Sequence, residues 1–234
     1  MPARRDSLVN VNANLAAHAG LWLDSYLSER DAKAVARKRL QQEAKAAMAR
    51  AGAVYERGFA RWKASLEPSH LVKVFETTGR FVTGMGDGGV LETGLTLQHT
   101  YGTPVIPGST IKGVCSHYFV TEVESRIEGD KAEAHKFRRL VFGTQKYRGM
   151  ITFEDAWMLP ASLPQALQLD VMTPHEIAYY RGKGAPTGQG DPKPISCLSV
   201  QGRFLVAVAC ENSGELGATL AGEAMKLIER ALGD

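Results

Sequence analysis

One segment of the sequence combines the residue types that bind a phosphate. From Gly94 to Gly113 it reads GLTLQHTYGTPVIPGSTIKG, in which an alternating strand-like run meets a Pro/Gly-rich turn and the start of a helix at Gly108. The first amides of a helix point outward without partners, and the positive end of the helix dipole lies there. Ser109 and Thr110 can cap this helix, and Lys112 adds a mobile charge in its first turn. Because a lysine there is unfavourable for the helix itself, the segment predicts an anion site, with phosphate as a plausible ligand.

Two ring side chains precede this turn. His99 and Tyr101 lie just before its Pro/Gly-rich part. Beside an anion site, an imidazole and a phenol can stack on a base or donate a hydrogen bond to a phosphate. The alternative is that Tyr101 packs beneath the turn, and the sequence leaves both open.

A glycine-rich loop, GMGDGG, lies upstream of the same segment. Gly84, Gly86 and Gly89 satisfy the spacing of a dinucleotide-binding motif. That motif needs a helix to begin at the glycines, whereas the following VLETGLTL reads as extended chain. We therefore expect either a loop whose amides approach phosphates or bases, or a plain hairpin turn.

A second glycine-rich loop, from 182 to 194, is basic. Arg181, Lys183 and Lys193 surround it, and simple solvation of the loop is the alternative to a binding role. Upstream of it, His175 follows Asp170 by five residues. This pair could hold a metal, but no third ligand stands at a recognisable spacing, so packing is favoured and the sequence predicts neither metal nor cofactor.

The composition is that of an ordinary globular chain. It has 234 residues, of which 44% are hydrophobic, and a formal charge of +3, which does not by itself imply nucleic acid. The three cysteines are far apart and form no CxxC pair, as expected for buried thiols in a reducing compartment. The first twenty residues lack a signal-peptide core, and no apolar run approaches the roughly 20 residues of a membrane span. These features predict a soluble cytoplasmic protein.

The N-terminal region differs from the rest. Residues 1–20 are polar and irregular, and from about Ser28 to Leu66 the sequence predicts one long helix, which Gly52 and Gly58 can interrupt or bend. Residues 28–67 hold ten basic and five acidic side chains, so their positive surplus exceeds that of the whole chain. A solvated face and a surface for nucleic acid or a partner explain this equally well. Pro68 predicts a boundary between residues 1–67 and 68–234.

After Pro68 the sequence alternates between β-type and α-type patterns. The β-type patterns cover 71–75, 81–82, 149–159, 167–172 and 204–210, and His175 to Tyr180 can extend the 167–172 strand. The helical patterns cover 114–141 and 215–231. The last strand is fully apolar, and the last helix is amphipathic. This order predicts an α+β, ferredoxin-like sandwich, a form shared with RNA-recognition modules.

Four segments resemble, in order, motifs of the RAMP superfamily of CRISPR effector proteins. The likeness is closest to the RAMP subunit that caps the filament of the Cmr (type III-B) complex. The segments are ETGLTLQHTYGTPVIPGSTIKG, LVFGTQKYRGMITFEDAW, LDVMTPHEIAYY and DPKPISCLSV. The resemblance implies a non-catalytic subunit that binds the guide RNA backbone near its 3′ end in antiviral defence. It implies guide RNA, target RNA, other RAMP subunits and a small helical subunit as partners, and no membrane.

The resemblance also turns the loops described above into candidate RNA contacts. The basic loop after Tyr180 lies where RAMP proteins project a hairpin onto their guide RNA. Contacts with phosphates would be independent of sequence, because guide–target pairing supplies the discrimination. The candidate residues are Arg80, Gly84, Gly86, His99, Tyr101, Gly108, Ser109, Thr110, Lys112, Arg181 and Lys183.

The alternative function is an endoribonuclease acting on guide or target RNA. RAMP subunits of the filament backbone cut target RNA with an aspartate on a loop, and Asp87 is the nearest analogue here. His99 or His175 would serve as a general base in a guide-processing nuclease. No second catalytic group stands at a recognisable spacing. Family members also carry a glycine-rich loop after the last helix, whereas this sequence stops at ALGD, which leaves open a shortened chain or a subunit without that loop.

Overall fold

The computed structural model describes residues 8, 17–27, 34–66, 68, 70–86, 91, 93–173, 177–185, 192, 194–212 and 214–233. The α-helices are α1 (Ala19–Ser25), α2 (Ala34–Arg50), α3 (Gly52–Ser65), α4 (Gly108–Tyr118), α5 (Ala132–Phe142), α6 (Ile177–Tyr180) and α7 (Glu215–Gly233). A π-helical segment, Phe119–Glu124, continues α4, and a 3-10 helix covers Pro160–Gln165. The strands are β1 (Leu71–Glu76), β2 (Leu97–Gln98), β3 (Thr103–Ile106), β4 (Ile151–Phe153), β5 (Ala156–Met158), β6 (Leu167–Met172), β7 (Ile195–Val200) and β8 (Arg203–Cys210).

These strands pair only in the antiparallel sense within the described residues. The mixture of helices with antiparallel strands confirms the coarse prediction of an α+β fold.

The chain forms two compact units made of interleaved segments. The first comprises Met1–Glu56, Thr77–Pro104 and Pro160–Gly202, and the second comprises Arg57–Glu76, Val105–Leu159 and Arg203–Asp234. The predicted boundary after residue 67 stays a prediction.

The second unit is built around β8. Its sequence, RFLVAVAC, is almost wholly apolar, and Phe204 to Val208 are buried. A strand that is apolar on both faces needs neighbours on both edges and cover on both sides. Accordingly β8 pairs with β1 on one edge and with β4 and β5 on the other, and the outer edge of β5 pairs with Val105 and Ile106 of β3. The predicted central strand at 204–210 is therefore confirmed.

Helices cover the two faces of this sheet differently. Lys73 Nζ lies 2.8 Å from Glu229 Oε1, so the Lys73 face of β1 is the one against which α7 packs. Val74 of β1 and Trp157 of β5 both lie opposite Leu205 of β8, and directly opposed residues share a face of the sheet. Because Val74 follows Lys73 in the strand, this face is the one opposite to Lys73. On that other face Trp62 of α3 stacks flat on Trp157, with centroids 4.9 Å apart and planes inclined by 3°. RNA-recognition modules bind bases on an open sheet face, and here Trp62 already covers the ring of Trp157.

The first unit contains an antiparallel pair of strands, β6 and β7, on which α2 packs. The two strands pair over six residues, from Leu167↔Val200 to Met172↔Ile195. The buried stripe of α2 includes Leu40, Ala44, Ala47 and Met48, and Gln41 Nε2 donates a hydrogen bond to the Ser196 carbonyl at 3.1 Å. Lys45 Nζ also reaches Gln168 Oε1 at 3.3 Å. One side of the basic helical region is thus used in packing on this pair of strands.

Three local predictions differ from the structure. The predicted long helix is two helices, α2 and α3, which break at Ala51, next to the expected Gly52. The region 149–159 is two strands rather than one, and Ile177–Tyr180 is a helical turn instead of an extension of β6. The sequence did not predict α1, although Ala19, Trp22 and Leu23 are buried. None of the described helices is long and apolar enough to cross a membrane.

Candidate nucleic-acid interface

The predicted anion turn lies at the start of α4 in the second unit. The helix begins at Gly108, after Pro107, which occupies the N-cap position and offers no capping side chain. Ser109 and Thr110 are exposed in the first helical turn, and Lys112 is partly exposed. The prediction that Ser109 or Thr110 caps the helix is therefore wrong, because both residues follow the cap position instead of occupying it.

The first amide of α4 is bound by a carboxylate from another part of the chain. Gly108 N donates a hydrogen bond to Asp155 Oδ1 at 2.8 Å. A β-bulge places Asp155 there. Phe153 pairs with Val208 and Trp157 pairs with Leu205, so the three residues between Phe153 and Trp157 lie opposite only two residues of β8. Such an extra residue bends a strand and redirects a side chain. The turn does bind an anionic group, and that group is the protein's own aspartate.

Gly108 is required by close packing on this bulge. A Cβ atom at position 108 would lie 2.0 Å from the Phe153 carbonyl oxygen, which is far inside van der Waals contact. In contrast, a Cβ atom at Gly113, later in the same helix, would meet nothing within 4 Å. The glycine at 108 therefore has a structural reason that is independent of any ligand.

The first residues of the GMGDGG segment are hydrogen-bonded to the chain that leads into β2, in the first unit. The carbonyls of Thr83 and Met85 accept hydrogen bonds from the amides of Thr96, at 2.8 Å, and Gly94, at 3.1 Å. Gly84 lies between these two residues with a φ of +74°, a value that favours glycine. The described residues after the loop lead into β2, not into a helix, which supports the hairpin alternative over a dinucleotide site. Asp87 and Gly89 lie outside the described residues.

Arg80 forms an ion pair within the first unit. Its Nη1 lies 3.3 Å from Asp170 Oδ2 on β6, and its side chain is 49% exposed. The amide of Val171 and the hydroxyl of Ser199 donate to Asp170, and together with Arg80 they lower the pKa of this carboxyl below its usual value. An RNA phosphate would therefore share Arg80 with Asp170.

The metal pair considered for Asp170 and His175 receives no support from the described residues. His175 lies outside them. Within them, no group of three His, Cys, Asp or Glu side chains could hold a metal ion. Asp170 is oriented by Ser199 and Arg80 instead.

His99 and Tyr101 differ in accessibility. The His99 carbonyl accepts a hydrogen bond from His18 Nε2 at 2.8 Å, while His99 itself is exposed. Tyr101 is partly buried and meets Tyr55 edge to face at 5.7 Å. Burial raises the pKa of the Tyr55 hydroxyl, as expected for a core residue. Tyr101 thus packs against Tyr55, and His99 is the exposed one of the two rings.

Two exposed tyrosines and two exposed basic residues of the first unit lie between β6 and β7. Tyr179 and Tyr180 are 50% and 74% exposed, and their rings meet edge to face at 5.8 Å. Arg181 and Lys183 follow them and are exposed. A turn closes behind the rings, with the Gly182 amide donating to the Tyr179 carbonyl at 2.9 Å. We call Tyr179, Tyr180, Arg181 and Lys183 the hairpin cluster.

The two cations of the hairpin cluster were predicted from the sequence as RNA contacts, but its two tyrosines were not. Adjacent aromatic residues beside basic ones in a glycine-rich connection were the available signal. The eleven predicted site residues are divided between the two units: Gly108, Ser109, Thr110 and Lys112 belong to the second unit and the other seven to the first.

Comparison with known proteins places this architecture in a family. The sequence profile described as the RAMP superfamily matches residues 74–214. Over 215 residues the chain is 32% identical to the CRISPR system Cmr subunit Cmr6 of Pyrococcus furiosus, an alignment that covers 68% of this chain and 62% of that protein. The chain therefore spans about three-fifths of the length of the curated relative it matches.

One solved structure shares the fold of this chain. A chain in the cryo-EM structure of the type III-B Cmr-beta complex bound to cognate target RNA aligns with a TM-score of 0.56 at 16% identity, covering 85% of this chain and 69% of that one. The crystal structure of Cmr6 from Pyrococcus furiosus aligns at 29% identity over 71% of this chain and 91% of that one, with a TM-score of 0.43, too low to support a shared fold by itself. Since the family profile covers more than half of its residues, the chain belongs to the RAMP superfamily.

Proposed function

We propose that this chain is an RNA-binding subunit of a type III-B CRISPR ribonucleoprotein. It binds the guide RNA backbone near its 3′ end, caps the filament of RAMP subunits in the cytoplasm, and catalyses no reaction. The hairpin cluster is the observation that carries the proposal, because it holds two exposed rings beside two exposed cations in a member of the RAMP superfamily. The relationship to Cmr6 supports the choice of complex.

The chemistry of the hairpin cluster suits single-stranded RNA. Exposed rings bind unpaired bases of any identity by stacking, and nearby Lys or Arg side chains neutralise the phosphates between them. Tyr179 and Tyr180 lie on a short helical turn, and Arg181 and Lys183 follow directly in the chain, so two exposed rings stand next to two exposed cations. Such a surface holds a strand without reading its sequence, as a guide-binding subunit must.

We also infer that the second unit is a ferredoxin-like RAMP core. Its elements β1, α4, β4–β5, β8 and α7 follow one another as the first five elements of a β-α-β-β-α-β fold. The strand order β1–β8–β5, antiparallel throughout, supports this assignment. The long basic region before it, now α2 and α3, is proposed to contact a neighbouring subunit with the surface that the β6–β7 pair leaves open.

The test of RNA binding is the affinity of the chain for a short fluorescein-labelled oligouridylate, measured by fluorescence anisotropy. Replacing Tyr179 and Tyr180 by alanine is expected to cost about 1–3 kcal/mol per stacked base, which is roughly 5- to 150-fold in Kd for each base lost. The matched control replaces both by phenylalanine, which keeps the ring faces and should keep the affinity. Equal affinities for the alanine and wild-type chains would remove the hairpin cluster from the interface.

The assembly and the absence of catalysis are tested together by purification from the native host. A short RNA of uniform length, recovered with several other subunits, is the expected result. Cleavage of labelled RNA by the purified chain, lost on replacing Asp87 or His99 by alanine, would favour the endoribonuclease and overturn the non-catalytic role.

A further inference from the structure

We propose that a basic pocket beside α5 is a second binding site for single-stranded RNA, in which one nucleotide stacks on Tyr147 and its phosphate contacts Arg139. The inference deepens the proposed function and rests on it for the identity of the polymer. The pocket lies within the second unit, has a volume of about 300 Å³, and is lined by α5 and by the loop from Gly143 to Gly149.

The loop has a well-defined conformation. Gly143 has a φ of +80°, and a Cβ atom there would lie 2.5 Å from the Tyr147 carbonyl oxygen. The Thr144 hydroxyl accepts hydrogen bonds from the amides of Lys146, at 3.2 Å, and Tyr147, at 3.1 Å. The Thr144 amide in turn donates to the Tyr147 carbonyl at 2.7 Å. These bonds close the loop on itself and fix the backbone from which Tyr147 and Arg148 project.

Tyr147 presents a large ring to solvent from this closed loop. Its exposed fraction is 71%, close to that of Tyr180 in the hairpin cluster. Partly buried Leu140 and Met150 add apolar lining to the same pocket. A flat ligand can therefore stack on the tyrosine and cover apolar side chains at the same time, which is how aromatic residues bind unpaired bases.

The charge around the pocket is positive. Lys136, Arg139 and Arg148 line it. Lys136 Nζ lies 3.8 Å from Oε2 of the exposed Glu133, and Arg148 Nη1 lies 3.0 Å from Glu211 Oε1. Arg139 has no ion-pair partner among the described residues, so its guanidinium is the cation most available to a phosphate, which it can bind through two parallel hydrogen bonds.

These features select the ligand. A volume near 300 Å³ is at the lower limit of small-ligand sites and admits one ring with its phosphate. A ring face, an apolar lining and an unpaired guanidinium together match a nucleotide better than a phosphate alone, which would leave Tyr147 unused. A single-stranded chain with one nucleotide in the pocket can continue past the exposed loop in both directions.

The experiment measures the Kd of the full chain for labelled oligouridylate in four variants. Tyr147→Ala is expected to raise Kd at least 5-fold. Arg139→Gln is expected to raise Kd and to lower the slope of log Kd against log salt by about 0.7, the value for one phosphate contact on a single strand. Tyr147→Phe and the charge-matched Lys226→Gln on α7 should leave Kd unchanged. The three side chains that are replaced are all exposed, and thermal unfolding checks that each variant is folded.

A crosslink locates the contact directly. Irradiation of the wild-type complex with RNA containing 5-iodouridine should join RNA to a peptide that includes Tyr147. Unchanged affinity in Tyr147→Ala and Arg139→Gln, with RNA binding that depends only on Tyr179 and Tyr180, would overturn this inference and leave the proposed function intact. A wild-type chain that binds no oligouridylate would overturn both. Uridine monophosphate that binds as tightly as the oligomer would identify a free-nucleotide site and also overturn the inference.

Discussion

Replacing Asp155 should change stability and RNA affinity in opposite directions. Its carboxylate accepts a hydrogen bond from the Gly108 amide at 2.8 Å at the positive end of α4. Loss of a side chain that caps a helix costs about 0.5–2 kcal/mol, and because Asp155 is exposed we expect Asp155→Ala to cost ~1 kcal/mol. Asp155→Asn keeps an acceptor and loses only the charge, so it should cost about 0.3–1 kcal/mol, the usual interaction with the helix dipole.

Removing the charge of Asp155 also removes a carboxylate that would repel an external anion at the α4 turn. With Asp155 neutral, a phosphate at Gly108, Ser109 and Lys112 no longer meets a carboxylate at the first amide. If the turn contacts RNA as the sequence predicts, Asp155→Asn should therefore bind oligouridylate more tightly, by up to about 5-fold, equivalent to the dipole term. Glu128→Gln makes the same change in net charge at an exposed residue that forms no ion pair with the described part of the chain, and it is the control.

The assays are thermal unfolding followed by circular dichroism and fluorescence anisotropy with labelled RNA. A destabilisation near 1 kcal/mol corresponds to a fall in Tm of about 2–4 °C for a chain of this size. The cap argument is refuted if Asp155→Ala unfolds at the wild-type temperature. An affinity gain that Glu128→Gln reproduces would show a general charge effect and would remove the α4 turn from the RNA interface.

Two further predictions concern stability. Gly108→Ala should lower Tm strongly, because its Cβ would lie 2.0 Å from the Phe153 carbonyl oxygen, whereas Gly113→Ala in the same helix should be neutral or stabilise by about 0.5–1 kcal/mol. A fall in Tm of the same size in both variants would contradict the close approach at Gly108. Asp170, whose pKa is lowered in the folded chain, contributes stability above its unfolded pKa of about 4, and this contribution is lost as pH falls through the lower folded value. Asp170→Asn should thus be less stable than wild type in urea at neutral pH, with a difference that shrinks as pH falls below the unfolded pKa. A difference in stability that is independent of pH would exclude this cause.

Local patterns were sufficient for much of the fold. The apolar run of β8 and the amphipathic pattern of α7 predict their elements because each pattern lies within a few consecutive residues. The family was also evident from four short motifs, which the RAMP profile confirms. In contrast, α1 is short, and its burial comes from contacts that no local pattern records. The break between α2 and α3 was anticipated from Gly52, within one residue.

The chemistry of individual side chains depended on tertiary partners. The sequence by itself determined which residues carry charge, rings and flexible backbone, and hence that the chain is a RAMP-superfamily protein with candidate phosphate contacts. Only the tertiary structure decided that Asp155, 47 residues after Gly108, occupies the first amide of α4, and that Arg80 faces Asp170. It also decided that Tyr101 packs on Tyr55 while Tyr147 stays exposed. The physical reason is that a hydrogen bond or ion pair depends on distances of a few ångströms between residues far apart in the chain, and a bulge of a single residue is enough to set them.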